Sequence, residues 1–166
     1  MKVVLEECKT VRAAIYCRIS SEEKARSESN SLASQKEICE HYIQIQREKG
    51  WKFSGLYEDG GYSGKDMHRP AMQRLMEDIR SGKVEAVVTY KLDRISRSLR
   101  DTSEFLEDLK ARKIIFASAT QSIDTSSATG ALMTHILASF AQFEREQTME
   151  RTAARMASRA EKGQWN

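Results

Sequence analysis

Apolar residues along this chain come first in short runs and then in helical stripes, and the two patterns alternate. Arg12 to Ile19 (RAAIYCRI) is a run rich in strand formers, closed by the polar stretch Ser-Ser-Glu-Glu-Lys, which predicts a buried strand. Trp51 to Tyr57, Ala86 to Tyr90 and Ile114 to Ala119 predict three more. Between the first two, Ser31 caps a predicted helix from Leu32 to about Lys49, with Leu32, Ile38, Tyr42 and Ile45 as its apolar positions and Gly50 as its stop. Pro70 suits the first turn of a second helix ending at Gly82. Residues 101 to 112 repeat the amphipathic pattern through Phe105, Leu106 and Leu109. Residues 20 to 30, 59 to 64 and 120 to 128 read as loops.

Strand and helix in strict alternation imply an α/β domain. Its expected form is a mostly parallel sheet of four or five strands with right-handed crossovers and helices on both faces, over residues 1–128. In such sheets ligands gather beyond the carboxyl ends of the strands. Ser20, Asp59 and the stretch Lys91 to Arg97 each follow a predicted strand, so a parallel sheet brings them to one edge.

Residues 129–163 break the alternation. They contain no proline and no glycine between Gly130 and Gly163, which predicts one long helix. At about 33 residues it would measure about 50 Å, against about 30 Å for the domain before it, so much of it must project. Its first half carries a broad apolar face, Leu132, Met133, Ile136, Leu137, Phe140 and Phe143, wider than a small sheet needs, and is the expected oligomer interface. In its second half Arg151, Arg155, Arg159 and Lys162 recur on one side as a basic stripe, a candidate surface for phosphate contact.

Composition narrows the function by exclusion. The 166 residues are 40% apolar, enough for one self-sufficient core. No apolar run is long enough for a membrane span or a signal peptide, so a cytoplasmic protein without a membrane partner is expected. Cys8, Cys17 and Cys39 form no CxxC pair, and His41, His68 and His135 are scattered with no HExxH, so neither a disulfide framework nor a metal site is expected. The stretch Glu58 to Lys65 superficially resembles a phosphate-binding P-loop. It lacks the first glycine at the required spacing and has Asp66 where Ser or Thr should follow the lysine, so no nucleotide cofactor is expected. The net charge of +3 identifies no partner by itself.

What remains is local chemistry. In a strand, Tyr16, Arg18 and Ser20 point to the same side, so a guanidinium and a hydroxyl share one target. Lys91, Arg94 and Arg97 surround the single carboxylate of Asp93 within seven residues, and arginine offers forked donors matched to phosphate oxygens.

Five motifs stand in order over residues 12 to 160: Tyr-x-Arg-x-Ser at 16–20, Ser-Leu-x-x-Gln at 31–35, Asp-x-Gly-x-Ser-Gly at 59–64 with Arg69-Pro70 after it, Lys-Leu-Asp-Arg-x-x-Arg at 91–97, and Glu144-Arg145 on the long helix. One would be weak evidence, but the ordered set resembles the resolvase/invertase family of serine recombinases. The resemblance implies that Ser20 is a nucleophile toward a DNA phosphodiester and that Arg18, Arg94 and Arg97 hold and neutralise the phosphate, with Asp93 beside them. Gln35, Asp59, Arg69, Lys91, Glu144 and Arg145 match positions that support the active site. It further implies a transient 5'-phosphoserine linkage, strand exchange by subunit rotation and religation, with neither metal nor ATP. The partners implied are double-stranded DNA at specific sites and further copies of the chain, a dimer that becomes a tetramer in the synaptic complex.

The stretch between Ser20 and Gln35 is longer than in small resolvases and resembles the large serine integrases and transposases. The end at Gly163-Gln-Trp-Asn166 resembles the approach to a further domain, so a truncated chain lacking its DNA-binding domains is expected. Two readings of other classes compete. A non-catalytic DNA-associated regulator would not require Ser20 together with Arg18, Arg94 and Arg97. A metal-dependent nuclease would require clustered carboxylates.

Overall fold

The computed structural model describes residues 10–21, 31–64, 67–121 and 123–161. Four strands, β1 (Val11–Ile19), β2 (Trp51–Gly60), β3 (Ala86–Thr89) and β4 (Ile115–Ser118), form one sheet in the order β2-β1-β3-β4. Every pairing between them is parallel. The helices are α1 (Leu32–Ile45), α2 (Pro70–Arg80), α3 (Leu99–Ala111) and α4 (Ala128–Glu161), with short 3-10 turns at Gln46–Lys49 and Leu92–Arg94.

Strand alternation sorts the core into two layers. Ala13, Ile15 and Cys17 of β1 face Cys39 and Ile43 of α1, with Ala86 and Val88 of β3 beside them. Ala14 and Tyr16 face the other way, onto Ala71, Met72 and Leu75 of α2 and Phe105, Leu106 and Leu109 of α3. Helices therefore cover both faces. The order also reverses at β1, where the chain goes one way to β2 and the other way to β3. A crevice opens beyond the strand ends at such a switch point, here between β1 and β3.

Local signals set the helix starts. Ser31 Oγ accepts from Ser34 N and Ser98 Oγ from Asp101 N, while Pro70 occupies the first turn of α2. Two elements depart from the sequence pattern. The buried stripe of α1 is Gln35, Cys39 and Ile43, whereas Ile45 is 63% exposed. A glutamine heads that stripe because its amide serves backbone groups of β1. Strand β2 runs to Gly60 instead of stopping at Tyr57, since Asp59 and Gly60 pair with Arg18 and Ile19. Asp59 is thus a strand residue and not part of the following loop.

Helix α4 has 34 residues, about 51 Å at 1.5 Å per residue. Its described contacts with the domain lie between its start and Arg145. Gly130, Thr134 and Ala141 are buried, and Leu137, expected on the outer apolar face, packs partly against the α3 side of the core. Gly130 lies flush on backbone: a Cβ there would stand 1.9 Å from the Asp124 carbonyl oxygen. Leu132, Met133, Ile136, Phe140 and Phe143 are exposed, and so is every residue from 148 to 159. Among the described residues no helix is long and apolar enough to cross a membrane.

Candidate active site

The switch-point crevice is built around Arg18. This residue continues the Tyr16 series of β1 and is fully buried. Its guanidinium donates to three backbone carbonyls: Nε to Arg94 O at 3.1 Å, Nη1 to Tyr62 O at 3.0 Å and Nη2 to Asp93 O at 3.1 Å. One side chain thereby ties the loop after β2 to the turn after β3. Its own backbone is held by Gln35, whose Oε1 accepts from Arg18 N at 3.3 Å and whose Nε2 donates to Arg18 O at 3.0 Å.

Arg94 returns the contact. Its Nη1 donates to Arg18 O at 3.2 Å, while Nε and Nη2 fork onto the Asp93 carboxylate at 3.1 and 3.0 Å. Each arginine thus donates to the other's carbonyl. Because Arg18 stands two residues before Ser20, this clasp fixes the 92–94 turn against the end of β1. Ser20 itself is 7% exposed, and the neighbouring Ile19 carbonyl accepts from Gly61 N at 2.8 Å.

Arg69, just ahead of α2, is the third buried guanidinium. It donates to Arg94 O at 3.3 Å, to Ile95 O and to Met67 Sδ, and it lies 5.5 Å over the Tyr16 ring. Asp59 is buried beside it. Its carboxylate accepts from Tyr16 Oη at 2.8 Å and from the first free amides of α2, Ala71 N at 2.9 Å and Met72 N at 3.2 Å, the place where a helix favours negative charge. Burial foremost, then the Asp59 carboxylate against the opposing pull of Arg69, drives the Tyr16 phenol far above its ordinary pKa, so it stays protonated as the donor.

Arg18, Arg69 and Arg94 are 0%, 1% and 5% exposed. Against these three buried cations stand one buried carboxylate, Asp59, and the half-exposed Asp93. Burying a cation is costly unless its donors are satisfied; backbone carbonyls take the Arg18 contacts and two from Arg69, the Asp93 carboxylate takes the Arg94 fork, and Arg69 Nε is buried without a hydrogen-bond partner. Lys91 and Arg97 add positive charge at the exposed rim, with Lys91 Nζ 5.1 Å over the Tyr90 ring. The chemical consequence is a preorganised seat for an anion next to a hydroxyl. Among the described residues no group of three or more His, Cys, Asp or Glu is gathered to hold a metal. A concavity of about 800 Å³ between α2 and α3, lined by Met67, Met72, Met76 and Phe105, includes none of the three buried arginines.

The structure therefore brings together Ser20, Arg18, Gln35, Asp59, Arg69, Asp93 and Arg94, with Lys91 and Arg97 on the same edge. It does not bring Glu144 and Arg145 to them. Arg145 Nη2 instead meets Glu104 Oε1 of α3 at 3.4 Å, a carboxylate that Arg100 also holds at 2.8 Å. Arg151, Arg155 and Arg159 lie exposed along α4, and Lys162 lies outside the described residues. Two residues of the sequence motifs, Tyr16 and Gly64, gain supporting roles only from the structure. Tyr16 orients Asp59, and its place two residues before Arg18 was the available signal. Gly64 is the other: a Cβ there would sit 3.0 Å from Arg97 Cγ and 3.1 Å from Arg18 Nη2, so any larger residue would press on both arginines. It closes the Asp-x-Gly-x-Ser-Gly motif at 59–64, but the two arginines that crowd it come from elsewhere in the chain.

Comparison with known proteins agrees with this architecture. The family described as Resolvase, N terminal domain, matches residues 13–165. A DNA-invertase of Enterobacteria phage P7 is 39% identical over 107 residues, covering 64% of this chain and 56% of the relative. The chain thus spans about half the length of that curated relative. Among solved structures, the N-terminal catalytic domain of TP901-1 integrase superposes with a TM-score of 0.69 at 41% identity, over 82% of this chain and 98% of that one. A resolvase family site-specific recombinase from Streptococcus pneumoniae gives a TM-score of 0.71 at 28% identity, over 92% and 99%. With the family match spanning nearly the whole chain and the ordered motifs converging on one sheet edge, this protein belongs to the resolvase family of serine recombinases.

Proposed function

We propose that this chain is the catalytic domain of a site-specific DNA recombinase and that Ser20 is its nucleophile. In the cleavage step Ser20 Oγ forms a bond to the scissile phosphorus while the bond from phosphorus to the 3'-oxygen breaks. The products are a 5'-phosphoserine linkage and a free 3'-hydroxyl. Religation is the same displacement in reverse, and because one phosphate ester replaces another, no external energy source is required.

The observation that carries this reading is the reciprocal clasp of Arg18 and Arg94 at the end of β1. It fixes two guanidinium groups where charge would accumulate on the phosphate oxygens in the transition state. Phosphoryl transfer depends chiefly on such positioning and charge stabilisation. Arg97 supplies a third cation from the rim. Gln35, Asp59, Arg69 and Lys91 support the arrangement, and Asp93 orients the Arg94 fork. One donor of this kind contributes about 3 kcal/mol to the barrier, roughly a hundredfold in rate.

In the same reading, the exposed face of α4 from Leu132 to Phe143 pairs copies of the chain, first as a dimer and then as a synaptic tetramer. Arg151, Arg155, Arg159 and Lys162 run along duplex DNA and contact its phosphates, which position a protein without specifying sequence. Glu144 and Arg145 act at the subunit contact. The long spacing between Ser20 and Gln35 favours the large integrase and transposase branch. The test is a denaturing gel of the full-length protein with labelled duplex carrying its recombination site, stopped during exchange. DNA should migrate joined to protein, and Ser20→Ala should abolish the adduct while the domain stays folded. An adduct that persists in the alanine variant refutes the assignment.

A further inference from the structure

We infer that Ser96, a buried hydroxyl standing between the two arginines of the 94–97 turn, is a positioning residue that presents Arg97 to the scissile phosphate. This rests on the reading of Arg97 as a phosphate ligand. Ser96 is 4% exposed and cannot itself meet the substrate, whereas Arg97 is exposed at the crevice rim. An arginine on an exposed turn is a poor anion ligand unless its backbone is held, because ordering a long side chain and its loop together costs conformational entropy. The structure supplies the hold at one atom. The Gly64 carbonyl accepts both Arg97 N and Ser96 Oγ, each at 3.0 Å.

Ser96 Oγ also accepts from Ser98 N at 3.0 Å, and Ser98 is the cap of α3. One hydroxyl therefore links three things: the loop after β2, the turn that carries Arg97, and the start of the helix behind it. Its single proton has one alternative acceptor, Asp101 Oδ2 at 3.3 Å, and the shorter contact to Gly64 is the one that latches the two loops. The absence of a side chain at Gly64 completes the arrangement, since that is what lets Arg97 Cγ and Arg18 Nη2 close over it. Without the Ser96 hydroxyl, Arg18 and Arg69 still hold the carbonyls at 93–95, but the Arg97 end of the turn keeps only its amide bond to the Gly64 carbonyl as a link to the loop after β2.

The deciding measurement is single-turnover adduct formation by the full-length protein on its duplex site, with binding followed separately. Ser96→Ala should slow adduct formation about tenfold, the value of one neutral hydrogen bond expressed in the transition state. DNA affinity should stay within about twofold, since phosphate contacts elsewhere dominate it. A double-mutant cycle separates positioning from general loosening: in an Arg97→Lys background the same serine change should cost less than about twofold, because the group it positions has gone. Ser96→Thr, which restores the hydroxyl, should recover most of the rate. If Ser96→Ala fails to fold, Ser96→Cys enters the same cycle at nearly the same size.

Wild-type rates in Ser96→Ala, or an undiminished penalty in the Arg97→Lys background, overturn the inference. Ser20→Ala run alongside tells the two failures apart. An adduct surviving there sinks the recombinase reading itself, while its loss together with indifference to Ser96 sinks only this one.

Discussion

The carboxyl edge of the sheet and the outer half of α4 are built on opposite principles. At the edge, three guanidinium groups are almost wholly buried, each donating to at least one backbone carbonyl of the surrounding loops and strands. Along α4 the side chains from 148 to 159 all face solvent, and Arg155 and Arg159 lie in the open. The first region is arranged before any ligand arrives. The second has surface but no shape to complement, so whatever order it acquires must come from something it meets. Positive charge is common to both, and what separates them is whether the fold has already fixed where that charge sits.

The sharpest way to break this contrast is to attack the fixed side. Arg18→Met removes a buried guanidinium and its bonds to the Arg94, Tyr62 and Asp93 carbonyls, and unfolding free energy should fall by about 3–5 kcal/mol in a denaturant titration, with cleavage lost. A loss below about 1 kcal/mol would mean the clasp is not structural. Arg97→Ala should divide the two properties: cleavage drops about a hundredfold while stability moves by less than about 1 kcal/mol, the range for an exposed position. On the open side, Phe140→Glu should abolish self-association in sedimentation and change monomer stability by no more than about 0.5 kcal/mol. Continued assembly at high concentration would show that the exposed apolar face of α4 is not the contact.

The smallest effect concerns pH. Burial foremost, then Asp124, pushes the Tyr42 phenol up to about 12. A phenol whose folded pKa is raised stabilises fully below its unfolded value of about 10, and that contribution is lost as pH climbs above it. Tyr42→Phe should therefore lose less stability than the parent between about pH 10 and 12. Parallel curves for the two proteins would contradict the burial argument.

Much of this was legible from the residues alone. Short apolar runs punctuated by Ser31, Gly50, Pro70 and Gly82 locate β1 to β4 and α1 to α4 within a few positions, because those signals are local. The sheet edge followed from the parallel order, which is why Ser20 and the 91–97 stretch could be brought together without coordinates. What stayed hidden depended on contacts across the fold. Gln35 is interior only because β1 offers it both halves of a peptide group. Strand β2 gains its last residues from its neighbour. Leu137 belongs partly to the domain core, and Arg145 answers to Glu104 on another helix. A stripe on a helical wheel gives a direction, and which neighbour lies in that direction is a question of packing.

At the root of α4, Gly130 rests directly on the backbone at Asp124 with no side-chain cushion between them. From that seat the helix packs on the domain through Thr134, Leu137 and Ala141 to the Arg145–Glu104 contact, and about 21 Å from there to residue 159 runs clear. A tilt of about 10° carries that stretch through about 4 Å, about one step along a DNA duplex. The coarsest aim of the distal arginines is thus set along the seated stretch, which begins at the smallest residue in the chain.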